Sequence, residues 1–195
     1  MSHARPSAEQ FLGLSTITVG CGPGGTTPML AKVVLVDYRG NIVFSAFVQP
    51  TTTVTNYYRT DVTPEDLQPG NALPFNEVQK RVSRLISGKI IVGHALWKNL
   101  SVLGLRHPAV ATRDVALYQP FLNALSYTSQ HPIGLQTLMW QLMRRHVQHS
   151  GIDPVENARA AMDLYRSCEE EWEGYISKRQ WPSNAPPQNF SGLYL

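Results

Sequence analysis

Two histidines, His146 and His149, stand three residues apart at the end of a helical stretch, a spacing that lets two imidazoles approach one zinc ion. A closed zinc site takes four ligands. Only Asp153 is near, and both cysteines, Cys21 and Cys168, lie far away in the chain. No metal and no cofactor is expected from this donor spacing. Asp37, Asp61, Asp114 and Asp153 are acids that hydrolytic chemistry could use, but they are not expected to fall on the positions that form a cleft. No Ser-His-Asp order and no strained-turn nucleophile motif is visible, so no nucleophilic hydrolysis can be assigned. Tyr57, Tyr58, Trp97 and Tyr118 are aromatic faces on which bases could stack, each stack worth ~1–3 kcal/mol. Aromatic residues beside a cleft are more often packing residues, and that is the plainer expectation here.

The elements that must position these side chains begin with strands. Phe11 to Val19 is β-rich and leads into a Gly/Pro turn over Gly20–Gly25; Ala31 to Asp37 and Asn41 to Gln49 flank Tyr38-Arg39-Gly40, a hairpin signal. The first of these three strands is expected to be buried and central. Pro64 to Leu67 opens a helical turn. Phe75 to Ile86 carries Phe75, Val78, Val82, Leu85 and Ile86 at helical spacing. Lys89 to Val92 reads as a short strand running into Gly93-His94, followed by a helix over Ala95–Leu105 and a strand end at Thr112–Val115. Gly134–His146 and Val155–Tyr175 read as helices, the second with its N-terminal cap at Asp153 and Pro154 in the first turn. Three strands followed by alternating helices and short strands predict an α/β sandwich. After Lys178 the segment Trp181 to Gln188 holds too many breakers to continue a helix, and it is expected to be ordered only where Phe190 or Leu193-Tyr194-Leu195 packs on the body. The expected divisions are a short tail over 1–9, one domain over 10–178 and a Pro/Asn-rich tail over 179–195.

Composition excludes more than it selects. The 195 residues suffice for one domain with a sizeable core, with 43% hydrophobic and 16% charged residues. No apolar run is long enough to span a membrane, and the polar Met1–Gln10 stretch has no signal-peptide core, so an intracellular protein with two reduced thiols is expected. The net charge of +3 is compatible with nucleic acid but selects nothing. Its clusters, Lys80-Arg81-Arg84 and Arg144-Arg145-His146, lie in amphipathic helical stretches and read as solvated faces.

Three stretches resemble a known family. Leu14-Ser15-Thr16-Ile17-Thr18-Val19-Gly20-Cys21-Gly22-Pro23-Gly24-Gly25, Val92-Gly93-His94-Ala95-Leu96-Trp97-Lys98-Asn99-Leu100 and Asp153-Pro154-Val155-Glu156-Asn157-Ala158-Arg159-Ala160-Ala161-Met162 are similar to the motifs of the DEDDh 3′–5′ exonucleases, in their RNA exonuclease branch. In that family the stretches read D-C-E-M-V-G-x-G-P-G-G, G-H-A-L-x-N-D-L and H-D-S-V-E-D-A-R-A-A-M. The resemblance covers about residues 10–176 and implies an RNase H-like fold, a mixed sheet flanked by helices. It also implies that the metal-binding acids are replaced by Ser15, Ile17, Asn99 and Asn157, and the general-base histidine by Ile152. Two divalent cations about 3.5–4 Å apart need hard anionic oxygens, which serine, asparagine and isoleucine do not supply.

A degenerate exonuclease domain is thus expected, a pseudo-nuclease serving as a binding or scaffold module. The alternative is an enzyme with a repurposed, metal-independent cleft for a small organic substrate, built from Ser15, Thr18, Trp97, Asn99, Asp153 and Asn157. The expected partner is a protein or a small molecule, with nucleic acid a weaker candidate and no membrane. Strand alternation predicts Ser15 and Ile17 on one side and Thr16 on the other. His94 and Arg113-Asp114 match the family and are expected to be architectural. The loop Val54–Leu67, in which the family seats the terminal nucleotide, is about two residues shorter here and lacks its S-G-I step.

Overall fold

A run of aliphatic residues, most of them β-branched, lays down the centre of the molecule. Val33, Val34, Leu35 and Val36 are all closed off from solvent although they point alternately to opposite faces, the mark of a strand covered on both sides. The structure is a computed structural model and describes residues 5–58 and 60–194; Met1–Ala4, Arg59 and Leu195, which the expectations above touch, lie outside the described residues. Strand β1 (Phe11–Cys21) pairs antiparallel with β2 (Thr27–Asp37), which pairs antiparallel with β3 (Ile42–Val48). Beyond them lie β4 (Val54–Asn56), β5 (Ala72–Leu73), β6 (Ile90–Gly93) and β7 (Thr112–Asp114). The sheet is seven-stranded in the order β5-β3-β2-β1-β6-β7, with β4 against the end of β1; β6 and β7 run parallel to β1.

Helices cover both faces. Helix α1 (Phe75–Ile86) buries Val78, Val82 and Ile86, four residues apart, and α2 (Leu96–Leu103) buries Leu96, Leu100 and Leu103 beside it. On the opposite face α3 (Gln119–Ala124), α4 (Leu135–Met143) and α5 (Pro154–Ser177) build a second core around Phe11, Tyr118, Tyr165 and Trp172. Helix α5 comes close to β1 at Gly13, where a Cβ would lie 3.2 Å from the Ala158 carbonyl oxygen and 2.7 Å from Val36 Cγ2.

This is the mixed α/β sheet flanked by helices that the sequence predicted. The differences have local causes. The helix expected over Gly134–His146 stops at Met143 because Arg144 turns into the left-handed region (φ 54°), and the one expected over Ala95–Leu105 stops at Leu103 because Gly104 does the same (φ 61°). Strands β4 and β5 and helix α3 are too short to carry a periodic signal, and sequence patterning does not predict them. The segment after Lys178 is tied to the body: Gln119 N–H donates to the Pro182 carbonyl at 2.9 Å, Asn184 N–H to that of Leu117 at 2.8 Å, and His107 N–H to that of Leu193 at 2.9 Å. A 3₁₀ segment over Gln188–Leu193 then packs Phe190, Leu193 and the following Tyr194 against Ala95, Trp97 and Ala116. Among the described residues no helix is long and apolar enough to cross a membrane.

Candidate functional site

The sharpest local constraint lies where β6 turns into α2. Gly93 has no room for a side chain, since a Cβ there would meet Leu96 Cδ2 at 2.5 Å and the Leu14 carbonyl oxygen at 2.8 Å. Ala95 then takes a left-handed conformation (φ 52°), unusual for a residue with a side chain. Asp114, at the end of the neighbouring β7, fixes the turn. Its carboxylate accepts N–H bonds from Ala95 (3.0 Å), Leu96 (2.7 Å) and Ala116 (3.0 Å), satisfying donors at the start of α2. Burial nonetheless pushes the Asp114 carboxyl up to about 7 against the lowering pull of those donors. The architectural role expected of Asp114 is the one it fills.

This turn projects Asn99 from the first turns of α2 onto β1. Asn99 Oδ1 accepts from both the backbone N–H and the hydroxyl of Thr16, each at 2.8 Å. A backbone N–H can only donate, so the orientation of the amide is fixed. Asn99 Nδ2 must then face, and donate to, the carbonyls of His94 and Ala95, both at 3.2 Å. Every polar atom of the Asn99 side chain has an internal partner. Asn157, at the start of α5, is engaged as well: Gln148 Nε2 donates to its Oδ1 at 2.7 Å, while Gln148 N–H donates to Glu156 at 2.7 Å. Gln148 adopts a positive φ (61°) to make both bonds.

Between β1, α2, α4 and the start of α5 lies an open cleft of about 630 Å³. Its lining includes Ser15, Asn99, Ile152 and Asn157, so four of the five positions singled out by the family motifs come together. Ile17 does not join them. It is buried with Val19, Ala31, Val62 and Leu67, because an aliphatic side chain gains more from that satellite core than from a wet cleft. Thr16 and Thr18 line the cleft with Ser15, and the β1–β2 register shifts between Ile17 and Thr18. Thr16, whose hydroxyl turns to Asn99 on α2, also contributes to the cleft wall.

Two proposed cleft residues are corrected. Trp97 is fully buried against Ala95, Ala116 and the C-terminal segment, where its large apolar surface belongs, and it does not reach the cleft. Asp153 caps α5 by accepting the Val155 N–H at 2.9 Å and does not line the cleft either. Base stacking also loses two of its aromatic faces, Trp97 and Tyr118, to the core; Tyr118 stacks instead on Trp172 with ring centroids 3.9 Å apart. Tyr57 packs partly into the satellite core and Tyr58 donates to the Gly25 carbonyl.

The remaining polar lining is mostly neutral. The Ser15 hydroxyl has no hydrogen-bond partner among the described residues, although Ser15 is only 7% exposed. His94 Nε2 lies 2.7 Å from the Ile133 carbonyl oxygen, which can only accept, so Nε2 carries the proton; burial lowers the pKa of the ring and keeps it neutral. Among the described residues, Lys98 is the one formally charged member of the lining. Sequence reasoning missed His94, Lys98, Gln148 and Phe190 as cleft residues. The motif match places His94 and Lys98 in the correct helix-start segment, but no signal places Gln148 or Phe190. His146 and His149 stack face to face, centroids 5.6 Å apart, with Trp140 stacked on His146 at 4.3 Å. Among the described residues no three of His, Cys, Asp and Glu gather as metal ligands would.

A sheet of this order, with a cleft where β1, the start of α2 and the start of α5 meet, defines an exonuclease-like α/β domain. The structure superposes on the pseudoubiquitin hydrolase–RNA exonuclease module of Saccharomyces cerevisiae Pan2, solved with AAGGAA RNA, with a TM-score of 0.73 and 21% identity over 90% of this chain and 31% of that one. By sequence the chain is 37% identical over 175 residues to RNA exonuclease 4 of Cryptococcus neoformans, covering 89% of this chain and 42% of that protein. It is 30% identical over 194 residues to the apoptosis-enhancing nuclease of Homo sapiens, covering 96% of this chain and 59% of that protein. The chain thus spans about half the length of these relatives. No family model matches it. These relatives carry exonuclease and nuclease names, and the superposition shows that this domain shares the fold of the Pan2 module.

Proposed function

We propose that this chain is an exonuclease-like domain without metal-dependent hydrolysis, acting as a binding module. The observation that carries the reading is the donor set of the cleft, which among the described residues contains no carboxylate. A pair of divalent cations leaves water only for several hard, anionic oxygens. Against them the cleft sets only neutral oxygens, the hydroxyls of Ser15, Thr16, Thr18 and Ser101 and the carboxamides of Asn99, Gln148 and Asn157, and the Oδ1 atoms of both asparagines already accept from Thr16 and Gln148. Ile152 cannot take a proton from water. His94, with its Nε2–H donated to Ile133, offers at most one neutral nitrogen donor, not the several anionic oxygens that a two-metal centre needs. These residues do not fit a two-metal centre, and no hydrolytic step is assigned to them.

The relatives carry nuclease names, and one structural neighbour was solved with RNA, so single-stranded RNA is the first ligand to try. The test is incubation of a fluorescent single-stranded RNA with the full chain in Mg²⁺ or Mn²⁺. The RNA is expected to remain full length; shortening that EDTA abolishes and that follows the protein through purification overturns the reading.

A second reading is a metal-independent enzyme acting on a small organic substrate. One observation favours it: the cleft stays open, at a volume within the ~300–1,000 Å³ typical of ligand pockets. A nucleophile beside a base is missing from it, since the Ser15 hydroxyl has no partner among the described residues. A thermal-shift survey of small metabolites distinguishes the two readings. Stabilisation followed by chemical turnover supports the second, and stabilisation without turnover supports the first.

A further inference from the structure

The cleft has reversed its sign. Where the family motif implies a cluster of carboxylates holding cations, the described lining here carries one formal charge, the Lys98 ammonium, and that charge is positive. No carboxylate among the described residues lies within ion-pairing distance of Lys98, and the residue is exposed at the mouth. Ser15, more than nine-tenths buried, lines the same cleft, and its hydroxyl makes no hydrogen bond among the described residues. Thr18 offers a second hydroxyl with no side-chain hydrogen bond of its own among the described residues. Leu14, Val102, Leu135, Ile152 and Phe190 make the rest of the wall predominantly apolar. A cation and free hydroxyls in one largely apolar cleft suit a ligand with an anionic head and a flat or aliphatic body.

We propose that the cleft is an anion site that binds a small organic oxyanion, a carboxylate or a phosphate monoester on an apolar body, with Lys98 as counter-charge and Ser15 as hydrogen-bond donor. The inference rests on the reading that this cleft holds no divalent cations. It deepens that reading by naming the ligand class: a metal-free cleft with four carboxylates would repel such an anion, and this one attracts it. Asn99 serves as a fixed wall, because its polar atoms face Thr16 and the α2 turn, and Asn157 Oδ1 is held by Gln148.

The test is a ¹H–¹⁵N NMR titration of the full chain in EDTA with benzoate, phenyl phosphate, inorganic phosphate and benzylamine. Benzoate or phenyl phosphate is expected to give saturable shifts at the Ser15, Thr16 and Thr18 amides, and their ranking tells carboxylate from phosphate as the preferred head. Inorganic phosphate, lacking the apolar body, should bind more weakly, and benzylamine should not bind. Lys98→Met, at an exposed position, should weaken the better anion about tenfold, while Lys98→Arg should largely preserve it. Equal binding of benzylamine, an unchanged Lys98→Met affinity, or no saturable shift with any anion overturns the anion site while leaving the binding-module reading intact. Anion binding that appears only after Mn²⁺ is added overturns both, because it requires a metal in the cleft.

Discussion

Beneath the sheet edge, Glu173 is buried and accepts from Arg113 Nε at 2.7 Å, from Arg113 Nη2 at 3.0 Å and from the Tyr165 hydroxyl at 2.9 Å. Asp114, on the strand that carries Arg113, is equally buried and accepts three backbone N–H bonds. In the cleft, on the far side of the α2 turn that Asp114 fixes, the corresponding work is done by neutral groups: Asn99 bridges β1 to α2 and Asn157 ties α5 to the loop before it. The two regions differ in what a carboxylate would find. Beside Arg113 it meets donors on every side. At position 99 it would face two carbonyl oxygens. Acids stand where they hold the fold together, and amides stand at two of the four positions where the resemblance implies acids, Asn99 and Asn157.

Removing the cation from the buried pair should be the largest perturbation. Arg113→Ala leaves Glu173 charged and without its main partner, and should cost ~3–5 kcal/mol in denaturant unfolding. A loss below about 1 kcal/mol would mean that the pair is not buried as described. Next in size is a pH effect at Asp114. Its folded carboxyl is raised from 3.8 to about 7, so its contribution to stability is fully present below the unfolded value and is lost as pH rises through about 7. The stability difference between wild type and Asp114→Asn should therefore shift against wild type between about pH 4 and about pH 8, by roughly 2–4 kcal/mol at most. The comparison with the variant is needed because His94 and His107, whose pKa values burial lowers, act in the opposite direction, losing stability as pH falls below 6.5.

In the cleft the effect should be smaller and of a different kind. Asn99→Asp restores a family acid but turns a carboxylate oxygen toward the His94 and Ala95 carbonyls. It should cost ~1–3 kcal/mol and restore no Mn²⁺ binding by itself. An Asn99→Asp protein as stable as wild type would show that the amide is not a structural bridge. Smallest is Gln148→Ala, which removes the bond to Asn157 and relaxes the loop at a cost of ~1 kcal/mol, read by thermal unfolding.

How far the sequence reached follows the same division. The β1–β2–β3 opening, the helical face of α1 and the cap of α5 were legible because each rests on local chemistry: β-branched runs, apolar residues four apart, and Asp153 before Pro154. Ser15, Asn99, Ile152 and Asn157 were placed together by motif resemblance alone, since nothing in their own chemistry marks a cleft. Ile17 and Trp97 escaped that reasoning because side chains that can bury apolar surface do so. Of the docking of residues 179–194, the apolar anchors Phe190 and Leu193-Tyr194 were legible, whereas its hydrogen bonds were not, because they join backbone groups far apart in the chain, at Leu117, Gln119 and His107.

The most direct measurement is isothermal titration of the full chain with Mn²⁺. A flat titration, with no saturable heat, is the result predicted for a cleft whose amides are already bonded to Thr16, the α2 turn and Gln148. Saturable binding, lost on mutation of Ser15 or Asn157, would contradict the account by showing that a metal centre forms without the carboxylates.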